Sequence, residues 1–227
     1  RDATLTLLTL MDAGYSEEAD QFRDWLLRAV ASSHVQIMYG VAGERRLLES
    51  ELDWLPGFEG SRPVRVGNAA AKQLQLDVYG EVTDALHQAR RLGCGAHDAG
   101  WELQRNLVEH LEEVWMEPDE GIWEVRSGRQ QFTHSKVMAW VALDRSLRSA
   151  EEFGLEGPVE RWRALRTKIH EQVCKEGFHE EVGAFTQSYG SRCLDASLLM
   201  MPLVGFLPAP DPRMKRTIEA IEKGENR

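Results

Sequence analysis

Apolar positions along this chain recur mostly at three- and four-residue intervals, the spacing that lines one face of an α-helix. In four segments the apolar residues form a single stripe backed by charge, as on a helix that buries one side. Residues 16–33 place Ala19, Phe22, Leu26 and Ala29 or Val30 in line, with Ser16 as the N-cap and Glu17 and Glu18 at the positive end of the helix dipole. Leu103, Leu107, Leu111 and Val114 do the same in 98–115, which Asp98 opens, and Val159, Trp162, Leu165, Ile169 and Val173 do so in 158–174, behind Gly157-Pro158. The fourth striped helix, 212–223, opens on the cap pair Asp211-Pro212.

Four other segments, 3–13, 69–89, 135–150 and 194–206, are apolar over much of their circumference. The Leu/Thr alternation at 5–10 also suits a strand, but the Ala, Leu and Met content and the Gly14 stop favour a short buried helix. Asn68 is placed to cap the second of the four. A buried helix followed by a striped one, four times over, predicts an all-α chain of helical hairpins in two layers, wound as a toroid. An α-solenoid would show the same alternation. Here, though, the unusual loops all precede inner helices, which would gather them at one mouth.

Those loops hold the candidate chemistry. Residues 35–67 have no lasting period, are punctuated by Gly and Pro, and carry Trp54 and Phe58. A loop of that length in a compact domain is usually functional or disordered, and its aromatics favour function. Its end, Ser61 to Asn68, sets Arg62 and Arg65 in a Pro- and Gly-fixed frame suited to hydroxyls or carboxylates, or to a plain solvated turn. Residues 118–126 put carboxylates beside Trp123, with Phe132-Thr133-His134-Ser135 just behind. A carboxyl group against an indole face suits a general acid, although Asp-Glu-Gly alone is an ordinary turn. A connection at 176–192 includes Phe185–Tyr189, which fits a short strand.

Composition narrows the partners. The 227 residues carry a formal net charge of −10, which argues against nucleic acid or an anionic membrane. No run of eighteen apolar residues spans a bilayer. Cys94, Cys174 and Cys193 show no C-x-x-C spacing and fit free thiols in a reducing cytoplasm, and the seven histidines show no metal-ligand spacing, so neither metal nor cofactor is expected. Seven tryptophans suit a pocket that stacks on sugars, or simply a core.

Four motifs in order carry a resemblance: Arg1-Asp2-Ala3-Thr4-Leu5; Ser61-Arg62-Pro63-Val64-Arg65-Val66-Gly67-Asn68; Gly121-Ile122-Trp123-Glu124-Val125-Arg126; and Phe132-Thr133-His134-Ser135-Lys136. Together the chain resembles glycoside hydrolase family 15, and more narrowly its bacterial trehalase and glucoamylase-like branch, from Arg1 to about Glu222. The resemblance implies part of an (α/α)6 barrel, about four of six hairpins, with the substrate pocket at one mouth. It implies an inverting exo-hydrolase of α-glucosides, trehalose or maltooligosaccharide ends, with no cofactor. Glu124 would be the general acid, Arg1 and Asp2 would hold hydroxyls of the innermost glucose, and Trp123 would line that subsite. Arg62 and Arg65 would stand at the pocket wall. Asp119 and Glu120 then read as turn residues. No loop here matches the family's general base, so the expectation is a catalytic domain truncated at both ends, inactive by itself, with the base beyond the C-terminal end. The rivals are a non-catalytic hairpin scaffold for protein binding and a sugar phosphorylase or lyase on the same toroid.

Overall fold

The structure, a computed structural model, describes residues 1–30, 35–94 and 97–224, without the side chains of 97–99. Its helices are α1 (Asp2–Asp12), α2 (Ser16–Val30), α3 (Asp77–Arg91), α4 (His97–Val114), α5 (Thr133–Phe153), α6 (Val159–Glu176), α7 (Met200–Leu203) and α8 (Pro212–Lys223). Two small antiparallel hairpins join them: β1 (Ser50–Glu51) with β2 (Arg65–Val66), and β3 (Phe178–His179) with β4 (Ala184–Phe185). The expected extension of the second helix to Ser33 lies outside the described residues, as does the opening role of the Asp98 side chain.

The two layers are present. The inner helices pack side by side, α1 on α3 and α3 on α5, while α2, α4 and α6 lie outside them and α2 touches α4. The burial follows the sequence pattern. From Thr133 to Leu147 every residue of α5 is buried, whereas α6 buries mainly Trp162, Ile169 and Val173. A helix buried all round must be apolar all round or have its polar groups bonded. Helix α5 is apolar from Val137 to Leu143 and bonds polar groups such as Lys136, whose Nζ donates to Trp115 O and Glu117 O at 2.6 and 2.7 Å. Gly80 lets α3 approach α5: a Cβ there would lie 2.3 Å from Met138 O.

Two expected inner helices differ from the pattern. The helix expected from 69 begins only at Asp77, after a 3-10 turn at Ala69–Lys72 that Asn68 caps by accepting from Ala70 N. The cause is competition for backbone donors. Glu120 takes the N–H of Leu74 at 2.8 Å and Asp119 that of Leu76 at 3.0 Å, so neither can serve a helical ladder there. The helix expected over 194–206 is instead a 3-10 turn, Ala196–Leu199, running into the single turn of α7. Asp195 caps its start through Ser197 N, and Pro202 removes a donor inside it. Gly205 at φ +81° then closes it, with Phe206 N donating to Met201 O and Gly205 N to Pro202 O. The expected strand at Phe185–Tyr189 is reduced to Ala184–Phe185 plus one bridge from Ser188 to Phe132.

Among the described residues no helix is long and apolar enough to cross a membrane.

Candidate active site

Residues 115–132 link α4 to α5 and are tied down at every turn. Asp119 and Gln130 exchange two backbone hydrogen bonds of 2.9 Å, and Glu120 N donates to Leu74 O at 3.0 Å. Asp119 is fully buried and also accepts from Ser135 Oγ at 2.7 Å. Burial pushes its carboxyl from 3.8 up to about 6, against the pull of the Leu76 and Ser135 donors. Glu120 accepts from Arg129 as well, at 3.0 Å. These two residues are more than turn formers, since they fix where the loop meets the entrance of α3.

At the tip, Gly121 (φ +67°) turns the chain against the Phe132 ring, which a Cβ would reach at 2.7 Å. Glu124 then sits at φ +53°, a left-handed conformation that costs an L-residue about 1–2 kcal/mol. Two contacts hold it there. Its N–H donates to Gly121 O, and Gln73 Nε2 lies 3.3 Å from the carbonyl oxygens of both Glu124 and Val125.

Arg1, at the head of α1, meets this loop from the first hairpin. Its Nη1 donates to Ile122 O at 2.7 Å and stands 3.3 Å from Asp77 Oδ2, while Nη2 is 3.5 Å from Glu124 Oε1. Trp123 is half exposed, and its indole N–H donates to Asp195 Oδ2 at 2.8 Å. The heads of α1, α3 and α5 and the start of the fourth hairpin therefore converge on one mouth. A cleft of about 240 Å³ opens beside them, with Arg1, Asp2, Glu124, Gln75 and Tyr39 among its walls. Asp2 lies at its rim, its carboxylate 96% exposed and 3.8 Å from Arg1 Nε.

Arg62 and Arg65 do not line this cleft. Arg62 donates to Asp53 O at 3.2 Å, and Arg65 on β2 pairs with Glu51 at 3.1 Å and Glu49 at 3.6 Å. Arg65 connects to the 115–132 loop through Glu49, which Arg126 reaches at 3.4 Å. The Ala69 N–H, with Arg126 and Arg65, holds the Glu49 carboxyl below its usual range.

Beneath the mouth lies a buried polar floor, of which the sequence motifs single out only His134. Asp77 is fully buried, with Oδ1 lacking a hydrogen-bond partner in the protein. Glu81, one turn on, is pushed up to about 7 by burial, with Asp77 adding to the push, and lies 3.2 Å from Thr4 Oγ1. His134 is buried between Asp77, Asp195 and Arg1, and burial holds it below its ordinary value, so the ring is neutral at pH 7. One signal could have found Asp77: a carboxylate set between Leu76 and Val78 at the head of a helix that reads as buried. Among the described residues no group of three or more His, Cys, Asp or Glu could hold a metal ion.

The sequence profile of the glycosyl hydrolases family 15 matches residues 1–225. The chain belongs to that family. It is 42% identical to the trehalase of Mycolicibacterium smegmatis over 226 residues, covering 97% of this chain but 34% of the relative. To the trehalase of Thermoplasma volcanium it is 34% identical over 224 residues, 98% of this chain and 36% of the relative. The chain thus spans about a third of the length of these curated relatives. Among solved structures, a glycosidase variant in complex with glucose superposes with a TM-score of 0.69 at 19% identity, over 97% of this chain and 58% of that one. A glucoamylase from Saccharomycopsis fibuligera gives 0.66 at 11% identity, over 97% and 50%. The fold is that of the family's (α/α)6 barrel, of which this chain carries four hairpins.

Proposed function

We propose that this chain carries the general-acid half of an inverting, exo-acting α-glucoside hydrolase that releases glucose from trehalose. The observation behind this reading is the placement of Glu124 at the barrel mouth. It sits on a clamped left-handed turn, against Arg1 and on the wall of an open cleft. Glu124 protonates the bridging glycosidic oxygen as its bond to the anomeric carbon breaks. A water molecule attacks that carbon from the opposite face and gives β-glucose.

Inversion places the second carboxyl group roughly 6.5–9.5 Å from the acid, leaving room for that water. The carboxylates on the walls of the cleft are Asp2 and Glu124. Asp2, beside Arg1, takes the role of accepting sugar hydroxyls, and the general base is assigned to residues beyond the C-terminal end of this chain. Arg1 donates to the same glucose, and Trp123 offers it an apolar face. Arg62 and Arg65, which do not line the cleft, meet the part of the substrate beyond that first sugar. Trehalose is preferred to maltooligosaccharide ends because the relatives at 42% and 34% identity are trehalases. The glucoamylase likeness, at 11% identity, speaks for the fold alone.

The test is glucose release from trehalose, maltose and maltotriose by the 227-residue chain and by the same chain grafted in place of the matching third of the M. smegmatis trehalase. The chain alone should release none. The graft should cleave trehalose to one β-glucose and one α-glucose, distinguished by polarimetry from the two α-glucoses of a retaining enzyme, and lose about 10²–10⁴-fold on Glu124→Gln. Turnover by the chain alone would place the base within it. A graft in which Glu124→Gln keeps its rate would remove Glu124 from the chemistry, and preference for maltotriose would reassign the substrate.

A further inference from the structure

The general acid is flanked by two side chains, and each is held from below by a carboxylate from a different hairpin. Asp77, at the first turn of α3, faces Arg1 Nη1 at 3.3 Å, and Arg1 in turn reaches Ile122 O and Glu124. Asp195, the cap of the turn before α7, takes the indole N–H of Trp123 at 2.8 Å. Both anchors are themselves fixed. Asp77 has no exposed surface, and Asp195 is buried and uses its other oxygen to accept from Ser197 N at 2.8 Å. Gln187 Nε2 adds a third donor to Asp195, at 3.2 Å. His134 is buried within electrostatic reach of both, and burial holds it below its ordinary value.

We infer that Asp77 and Asp195 are positioning residues for the hydrolytic reaction, which through Arg1 and Trp123 set the place of Glu124 against the glycosidic oxygen. The inference rests on the reading of Glu124 as the general acid. Its physical basis is that the acid loop has irregular backbone at a barrel mouth and no regular element of its own at the tip. Beside Gln73 on the carbonyls of 124 and 125, its lateral position depends on what Ile122 O and Trp123 Nε1 bond to. Both bonds end, directly or through Arg1, on a buried anion whose carboxylate cannot swing away. A charge-assisted hydrogen bond to an immobile acceptor is stronger and more directional than a neutral one. A displacement of about 1 Å at an acid costs about 100-fold in rate.

A merely structural role and a positioning role differ in their dependence on the leaving group. The second glucose of trehalose departs as an oxyanion unless the acid protonates the bridging oxygen, whereas α-glucosyl fluoride expels fluoride without a full proton transfer. The experiment compares the kcat for the two substrates in the form of the enzyme that hydrolyses trehalose, for Asp77→Asn, Asp195→Asn, Trp123→Phe and Glu124→Gln. Both Asp variants should lose about 10–100-fold on trehalose and less than about threefold on the fluoride. Trp123→Phe, which deletes the N–H and keeps an aromatic ring, should match Asp195→Asn, and the pair combined should lose no more than either alone. Equal losses on both substrates, or additive losses in the pair, would overturn the inference. If Glu124→Gln spares trehalose hydrolysis, the reading of the acid fails instead. A second readout uses the 227-residue chain itself. The Trp123 indole N–H signal should exchange faster with water in Asp195→Ala, which removes the acceptor, and an unchanged rate would mean that Asp195 does not hold the ring.

Discussion

Asp119→Asn isolates the cost of burying one carboxylate under the acid loop. The wild-type carboxyl is fully buried, and burial raises it from 3.8 to about 6. Asp77 adds to the rise, while the Leu76 N–H, Ser135 and Lys136 oppose it. Because the folded value is raised, the contribution to stability is fully present below about pH 3.8 and is lost as pH climbs through about 6. Every pH unit that separates the folded from the unfolded value is worth about 1.4 kcal/mol. Between pH 4 and pH 7.5 the wild-type chain should therefore lose about 2–3 kcal/mol that the asparagine variant, which does not titrate there, keeps. The amide can still accept from Leu76 N and Ser135 through one oxygen. Its NH2 then faces the site where Asp119 Oδ1 has no protein partner, a roughly pH-independent cost of about 1–3 kcal/mol. Glu81, raised to about 7, titrates in the same window but in both proteins, and cancels in the difference. Below pH 7.5 Lys136, which burial lowers to about 8 against the pull of Asp119, stays mostly protonated. The assay is urea unfolding of both chains at half-unit pH steps. The stability difference should swing in favour of the variant as pH rises; parallel profiles would refute the reasoning.

Gly80→Ala forces a Cβ to within 2.3 Å of Met138 O, a backbone atom of α5 that cannot turn aside. Overpacking of about 1–3 kcal/mol should outweigh the gain of up to about 1 kcal/mol in helix propensity, and calorimetry should show a lower Tm. Gly121→Ala combines a positive φ with a 2.7 Å approach to Phe132, so it should lower both the unfolding midpoint of the chain and glucose release by the grafted enzyme. Lys136→Met leaves Trp115 O and Glu117 O without their buried donor and should cost about 2 kcal/mol or more at pH 7 by urea titration.

The alternation of buried and striped helices was readable because α5 and α6 differ so plainly: Val137 to Leu143 are apolar nearly all round, while α6 keeps one line through Trp162, Ile169 and Val173. That residues 115–132 form a loop was readable because Trp123-Glu124 lies between two strong helical patterns. The late start of α3 was not, because the donors of Leu74 and Leu76 are taken by side chains 46 and 43 residues away. Periodicity sees neighbours on a helix and is blind to such partners. The anchors Asp77 and Asp195 were hidden for the same reason, lying 76 and 72 residues from the groups they hold. Arg62 and Arg65 show the converse: a local frame of Pro and Gly says that a loop is formed, but not which way it faces.

Glu124→Gln should leave the fold intact, for reasons visible in the loop's own contacts. The loop is secured by the Asp119–Gln130 pair, by Glu120 on Leu74, by Gln73 on the carbonyls of 124 and 125, and by Arg1 on Ile122 O. None of these uses the Glu124 side chain, whose one charged contact is the 3.5 Å approach of Arg1 Nη2. That pair is partly exposed, and such pairs contribute about 0–1 kcal/mol. Glutamine keeps an oxygen for Arg1 and the same left-handed backbone. Its unfolding midpoint in urea should therefore match the parent within about 0.5 kcal/mol, as for a surface change. A variant that lost both glucose release and about 2 kcal/mol of stability would mean that the carboxylate helps to hold the loop, and its lost activity could not be read as lost proton transfer. With stability preserved, the missing rate belongs to the proton.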